Sequence, residues 1–123
     1  MSGATEADLA LWLRVEAAIR RLDARLSIRA AFESAGDGGM RWRELVAEWR
    51  ECVQLHGPGS ASARGVLLDL VREAWGPGCR VDTGVFAHGD ARVEVYPARE
   101  KWVEFEGDTL GEALTVAMES APS

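Results

Sequence analysis

The sequence has few of the features that mark secreted or membrane proteins. It contains two cysteines in 123 residues, too few for a disulfide scaffold. No stretch approaches the roughly 20 apolar residues that are needed to cross a bilayer. Residues 1–8 are polar and acidic, unlike a secretory signal. We therefore expect a cytoplasmic protein with reduced thiols and no membrane contact.

Positive charge is also in deficit. The chain has 20 acidic residues against 14 lysines and arginines, for a net charge of −6 at pH 7. Residues 79–123 hold nine of the acidic residues and four of the basic ones, so the imbalance lies mostly there. Nucleic acids and anionic membranes are disfavoured as partners. An acidic surface could instead dock on a basic protein surface or imitate a track of phosphates, although solubility alone explains the same charge.

The length and the 47% hydrophobic fraction suit one domain that buries its own core. We predict a single α+β domain over residues 1–123. The glycines and proline around Gly57–Gly59 would separate a helical part, 1–56, from a part over 60–121 that combines a helix, three strands and a closing helix. Neither part is large enough to fold stably alone.

Apolar residues that recur every three or four positions predict three helices in the N-terminal part. The first runs from about Thr5 to Phe32, the second from Met40 to Leu55, and the third from a serine cap at Ser60 or Ser62 to Gly76. Glycines within 36–39 favour a turn between the first two. The residues predicted to be buried are Trp12, Val15, Ile19, Leu22 and Leu26; then Trp42, Leu45, Val46, Trp49, Cys52 and Val53; then Val66, Leu67, Leu70, Val71 and Ala74.

After residue 78 the pattern changes to alternating apolar and polar residues, which is typical of half-buried strands. Three strands, about 80–87, 91–96 and 101–106, are separated by turns and should form an antiparallel meander. Thr109–Glu112 has the form of a capping box, and the last helix that follows can cover the sheet. The predicted fold is three N-terminal helices, a three-stranded antiparallel meander and a closing C-terminal helix.

The alternation also predicts which side of the sheet each residue occupies. The residues that should face the helices are Val81, Thr83, Val85, Ala87, Ala91, Val93, Val95, Val103 and Phe105. The predicted outward set combines aromatic and acidic side chains: Phe86, Glu94, Tyr96, Trp102, Glu104 and Glu106. Because aromatic side chains anchor interfaces, this set is our predicted protein-binding surface. The alternative is that the long first helix covers this face and makes the sheet the middle of three layers.

No sequence motif points to catalysis. The chain has no G-x-S-x-G, no H-E-x-x-H and no phosphate loop, so we do not expect an enzyme. Cys52 and His56 are four residues apart on a helix and could meet one metal ion, with Cys79 and His88 completing a Cys2His2 set. However, Cys79 and His88 lack the tight spacing of a ligand knuckle, and Cys52 falls on an apolar face. We assign no metal site and no cofactor.

The first helix carries a stripe of arginines, Arg14, Arg21, Arg25 and Arg29. Such a stripe could contact phosphates, which makes a nucleic-acid-binding or zinc-dependent regulatory module the alternative function. Acidic residues on the same helix instead favour a solvated face with pairs inside the helix. Leu9, Leu11 and Leu13 add apolar side chains beyond the buried stripe, so the helix over residues 5–32 is also a candidate homodimer contact.

The stretch Arg92–Met118 reads RVEVYPAREKWVEFEGDTLGEALTVAM. It combines an aromatic and valine strand, the segment Gly107–Leu110, and an alanine- and leucine-rich helix. This stretch is similar to the small phage-encoded domains described as an alpha-beta-alpha sandwich. The resemblance covers about a quarter of the chain and implies a phage or prophage origin. The expected function is a small acidic non-enzymatic module, an inhibitor or accessory factor, that binds a host or phage protein.

Overall fold

The computed structural model shows four helices and one antiparallel sheet, in the predicted order and of the predicted α+β class. It describes residues 5–32, 38–76, 79–98 and 101–122. The elements are α1 (Glu6–Phe32), α2 (Gly38–His56), α3 (Ala61–Trp75), β1 (Arg80–Val85), β2 (Ala91–Tyr96), β3 (Val103–Gly107) and α4 (Leu110–Ser120).

Short polar side chains set the starts of α1 and α4. At α1, Asp8 N donates to Thr5 Oγ1 at 3.1 Å and Thr5 N donates to Asp8 Oδ2 at 3.3 Å. At α4, Glu112 N donates to Thr109 Oγ1 at 3.1 Å, and the Glu112 carboxylate accepts from Asp108 N at 3.2 Å. These caps satisfy backbone N–H groups that have no partner inside the helix. Both starts lie where the capping patterns predict them.

Three boundaries refine the predictions. Ser60, and not Ser62, caps α3 by accepting a hydrogen bond from Ala63 N. Helix α2 begins at Gly38, two residues before Met40. Residues 36 and 37 of the predicted glycine turn lie outside the described residues, and Gly38 and Gly39 belong to the first turn of α2 and not to a turn between helices. Strand β3 begins at Val103 because its pairing with β2 ends there, opposite Val95.

The sheet is an antiparallel meander with strand order β1-β2-β3. Its inner face packs on α4, which contacts all three strands, while α3 contacts β1. Val81, Val93 and Val95 are buried on that face, as the alternation predicts. Four residues in or next to the edge strands differ from the prediction, since Val85 is 71% exposed, Val103 is 37% exposed, and Thr83 and Ala87 are also exposed. The helices do not reach far enough to cover them.

The helices form a ring behind the sheet. α1 packs on α2 and α4, and α3 packs on α2 and α4, so each helix has two helical neighbours. The buried residues of all four helices and of the sheet belong to one hydrophobic cluster. In the described part of the chain, no helix is long and apolar enough to cross a membrane.

The predicted apolar stripes supply most of this core. Val15, Ile19, Leu22 and Leu26 are buried on α1, but Trp12 is 36% exposed at the edge of the stripe. The stripes of α2, α3 and α4 are buried except for Cys52 and Leu110, which are half-buried. In contrast to Trp12, Trp42 and Trp49 are fully buried.

Candidate protein-binding surface

The outer face of the sheet is open. No helix packs on it within the described residues, because α1 contacts α2 and α4 and the sheet rests on α3 and α4. Trp102 is 54% exposed, and Glu104 and Glu106 are also exposed. The three-layer alternative, with α1 over this face, is therefore not what the chain forms. We call this surface the outer sheet face.

The six residues predicted for this surface fall into three groups along the outer sheet face. Tyr96 and Trp102 lie together at one end, and Phe86 lies at the other end, just after β1. Between the two ends lie the three carboxylates, which are those of Glu94, Glu104 and Glu106. The structure thus places aromatic rings at both ends of a central acidic patch.

The first aromatic end is a stack of three side chains. The Tyr96 and Trp102 rings have centroids 6.0 Å apart and an interplanar angle of 25°. The Arg80 guanidinium lies 4.2 Å from the centre of the Tyr96 ring, a cation–π arrangement. Arg80 is also 3.3 Å from the Asp82 carboxylate. Trp102 is the most exposed large aromatic side chain here and can anchor a partner.

The second aromatic end is built around Phe86. Its ring stacks on His88 with centroids 5.2 Å apart, and the Arg92 guanidinium lies 5.4 Å from the ring centre. His88 Nε2 is 3.1 Å from an Asp90 carboxylate oxygen. Gly84, which faces Arg92 across β1 and β2, leaves the space in which the Arg92 side chain lies.

The centre of the face brings like charges together. Glu94 and Glu104 are paired directly across β2 and β3, an unfavourable arrangement for two carboxylates. Arg92 offsets it, with Nε 3.3 Å from Glu94 and Nη1 4.0 Å from Glu104. Arg92 is itself paired across the strands with Glu106. The guanidinium of Arg92 therefore contacts two of the three carboxylates, and the patch keeps a negative excess.

Glu94 links the acidic centre to the first aromatic end. The Tyr96 hydroxyl donates a hydrogen bond to the Glu94 carboxylate. This hydrogen bond raises the pKa of Tyr96, because the neutral phenol is the donor, and the nearby Glu94 charge acts in the same direction. Arg80 opposes the shift. The Glu94 side chain is only 16% exposed, so it organises the face while Glu104 and Glu106 remain accessible.

The cysteines and histidines do not converge. Among the described residues, no group of three or more histidine, cysteine, aspartate or glutamate side chains could hold a metal ion. Cys52 packs against the core, His56 is exposed at the end of α2, and His88 stacks on Phe86. Burial raises the pKa of the Cys79 thiol, although Arg72 acts against the shift.

Three arginines of the predicted stripe, Arg14, Arg21 and Arg25, bind other elements, whereas the sequence favours pairs inside the helix. The side chain of Arg29 lies outside the described residues. Arg14 forms a two-pronged ion pair with Glu119 on α4, with Nε 3.1 Å from Oε2. Arg21 donates to the backbone oxygens of Met118, Glu119 and Ala121 at 3.1, 3.0 and 2.9 Å. These carbonyls lie at the end of α4, where helical N–H partners run out, and that of Met118 also accepts from Ala121 N at 3.3 Å. The arginines thus hold α1 to α4.

The acidic residues on the opposite side of α1 bind α2 in the same way. The Glu16 carboxylate accepts two hydrogen bonds from Arg50, both 3.0 Å. Asp23 Oδ1 accepts from Trp42 Nε1 at 2.8 Å. On the other side, Arg25 donates to the Ala74 carbonyl at the end of α3. These charged side chains attach α1 to three helices.

Two residues central to the outer sheet face, Arg80 and Arg92, are absent from the predicted set. The alternation places both outward, so the signal was present. Their roles depend on partners from neighbouring strands, and the sequence alone does not show which rings and carboxylates those are. The pairing register supplies this information.

The fold and this surface define a small α+β protein with one open, aromatic and acidic sheet face. Comparisons with protein-family models, with curated proteins and with solved structures found no significant match. The function is therefore inferred from the geometry of the outer sheet face.

Proposed function

We propose that this protein is a small acidic non-enzymatic binding module whose outer sheet face docks on a basic surface of another protein. The observation that carries the proposal is the arrangement of that face, which is uncovered and has aromatic rings at both ends of an acidic centre. Its contact residues are Phe86, Glu94, Tyr96, Trp102, Glu104 and Glu106.

The charge of the face supports a basic partner. Among the described residues, five carboxylates lie on the sheet face or its β1–β2 turn, against the guanidinium groups of Arg80 and Arg92. Opposite charge steers association and sets specificity. An arginine of the partner can bind both the acidic centre and the aromatic ends of this face, since guanidinium groups bind carboxylates and stack on aromatic rings.

The resemblance of Arg92–Met118 to phage alpha-beta-alpha sandwich domains supports a more specific role. A small acidic protein of phage origin would act as an inhibitor or accessory factor by covering a basic site on a host or phage protein. The resemblance carries no catalytic residue to this chain, in keeping with action by binding alone.

No observation among the described residues favours the nucleic-acid or zinc alternative. The arginines Arg14, Arg21 and Arg25 are hydrogen-bonded to α4 and α3. Among the described residues, Cys52, His56, Cys79 and His88 do not belong to any group of three or more side chains that could hold a metal ion. We therefore retain the single proposal.

A displayed library of random peptides, selected on the immobilised protein, tests the proposal. We expect enrichment of arginine-containing peptides whose affinity falls with added salt. E104K/E106K should weaken binding of a selected peptide roughly tenfold or more, and W102A by a similar factor. Because these side chains are exposed, the variants should fold as the parent does.

The matched control is E44K/E48K, which makes the same charge change at two exposed positions of α2. It should bind the selected peptides as the parent does. Selected peptides without basic residues, or equal loss of affinity in the control and in E104K/E106K, would refute the proposed surface. So would a selection that enriches nothing.

A further inference from the structure

Helix α1 has a second apolar side that faces solvent. Leu13 is 63% exposed and Leu9 is 43% exposed. Leu13 precedes the fully buried Leu22 by nine residues, which at about 100° per residue places the two on opposite sides of the helix. The exposed leucines are thus separate from the core stripe, and in the described structure nothing covers them.

The exposed side of α1 forms a stripe with symmetric spacing and complementary ends. Its members are the exposed residues Glu6, Leu9, Leu13, Ala17 and Arg20. The steps between them are three, four, four and three, so the pattern reads the same in both directions from Leu13. All five lie within about 40° of Leu13 around the helix axis. An acidic residue ends the stripe on one side and a basic residue on the other.

We propose that a second copy of this chain docks on the α1 stripe, with the two α1 helices antiparallel and related by a two-fold axis at Leu13. In this arrangement Leu13 meets Leu13 of the second copy, Leu9 meets Ala17, and Glu6 meets Arg20. The Leu9–Ala17 and Glu6–Arg20 contacts each occur twice, and the Leu13–Leu13 contact occurs once, on the axis, as a two-fold interface requires. A parallel arrangement would instead oppose Glu6 to Glu6 and Arg20 to Arg20, so charge selects the antiparallel one.

Neighbouring apolar surface extends the contact. A groove of about 460 Å³ borders the stripe between α1 and α2 and is lined by Leu9, Trp12, Val53 and Pro58. The stripe itself is about 21 Å long, at 1.5 Å per residue over 14 residues. Because the contact consists of one helix face and its apolar border, we expect a dimer of only micromolar affinity. The dimer leaves the outer sheet face of each copy free, because α1 packs mainly on α2 and α4 and the sheet packs on α3 and α4.

Sedimentation equilibrium of the full chain over a concentration series tests the proposal. We expect the parent protein to show a reversible monomer–dimer equilibrium in the micromolar range. L13D should weaken the dimer at least a hundredfold, because it places two carboxylates at the symmetry axis. E6R and R20E should each weaken it roughly tenfold, since each disrupts two charge pairs.

The double variant E6R/R20E separates a direct contact from a general charge effect. Exchanging the two charges restores both pairs, so its dimer should approach the parent's affinity. E106R, a single reversal on the outer sheet face, should dimerise as the parent does. A parent that stays monomeric throughout the series, a dimer that survives L13D, or a double variant no better than the single ones would each overturn the proposal. Far-ultraviolet circular dichroism establishes that each variant is folded.

Discussion

Gly107 at the end of β3 lies so close to the backbone of Ala113 on α4 that there is no room for a side chain at position 107. A Cβ atom added to Gly107 would lie 2.7 Å from Ala113 N and 2.9 Å from Glu112 Cβ. The nearest of these atoms is backbone of the first turn of α4, which cannot move away as a flexible side chain can. This contact fixes the distance at which α4 crosses the sheet edge.

We expect Gly107→Ala to destabilise the protein by about 2 kcal/mol, the range typical of overpacking against a rigid neighbour. Urea unfolding followed by tryptophan fluorescence measures the loss. A variant as stable as the parent would show that α4 adjusts freely and would contradict the close packing described here.

Gly84→Ala is a contrasting substitution in the same sheet. A Cβ atom there would lie 3.1 Å from Arg92 Nε, part of a flexible side chain that is 43% exposed. We expect the unfolding free energy to change by less than about 0.5 kcal/mol, because Arg92 can shift. The same substitution should weaken binding of a peptide selected on the outer sheet face, since the Arg92–Phe86 contact is displaced. A stability loss equal to that of Gly107→Ala would contradict this account.

Arg21→Ala should destabilise the protein by about 1–3 kcal/mol, because three backbone oxygens at the end of α4 lose their donor. Arg14→Ala is the matched control on the same helix side. Its ion pair with Glu119 is about 40% exposed on both sides, so we expect a loss below about 1 kcal/mol. Chemical unfolding measures the stability of both variants. An equal or larger loss of unfolding free energy for Arg14→Ala would refute the role of Arg21 in holding α1 to α4.

Tyr96 is the only tyrosine in the chain, so its ionisation can be read directly from phenolate absorbance. The hydrogen bond to Glu94 raises the pKa of Tyr96, so the folded protein should titrate at higher pH than the chain in denaturant. The stabilisation from this bond is present below the unfolded pKa and is lost as the pH rises through the folded one.

Glu94→Gln should move the Tyr96 pKa back toward its ordinary value, since the amide lacks the negative charge. Absorbance titrations of the parent and variant, folded and in denaturant, provide the comparison. Identical midpoints for the folded parent and the folded variant would contradict the contact between the Tyr96 hydroxyl and the Glu94 carboxylate.

Local patterns were sufficient for the element order and for the sides of the sheet. In β2, residues alternate with a period of two, and only one register puts Val93 and Val95 under the helices. In α4, apolar residues recur every three or four positions, and this spacing predicts that Leu114 and Met118 are buried, as the structure shows. The Thr109–Glu112 cap was equally local.

The sequence was less informative where a partner lies far along the chain. Arg14 and Glu119 are 105 residues apart, so pairing inside the helix was the natural expectation until α1 and α4 were seen side by side. Val85 and Val103 have the inward-facing pattern, but α4 is only 11 residues long and leaves them partly exposed. Sequence periodicity predicts the direction of a side chain and carries no information on the extent of the layer above it.

The seven elements, their buried stripes and the aromatic and acidic character of one sheet face can be predicted from the sequence, because periodicity and capping act over a few residues. Two further features are visible only in the folded chain. Helix α1 packs beside α4 and leaves that sheet face open, and Arg14, Arg21 and Arg25 hold α1 to other helices. These outcomes depend on long-range packing in which helices compete to bury apolar area, and no local pattern encodes which arrangement buries the most.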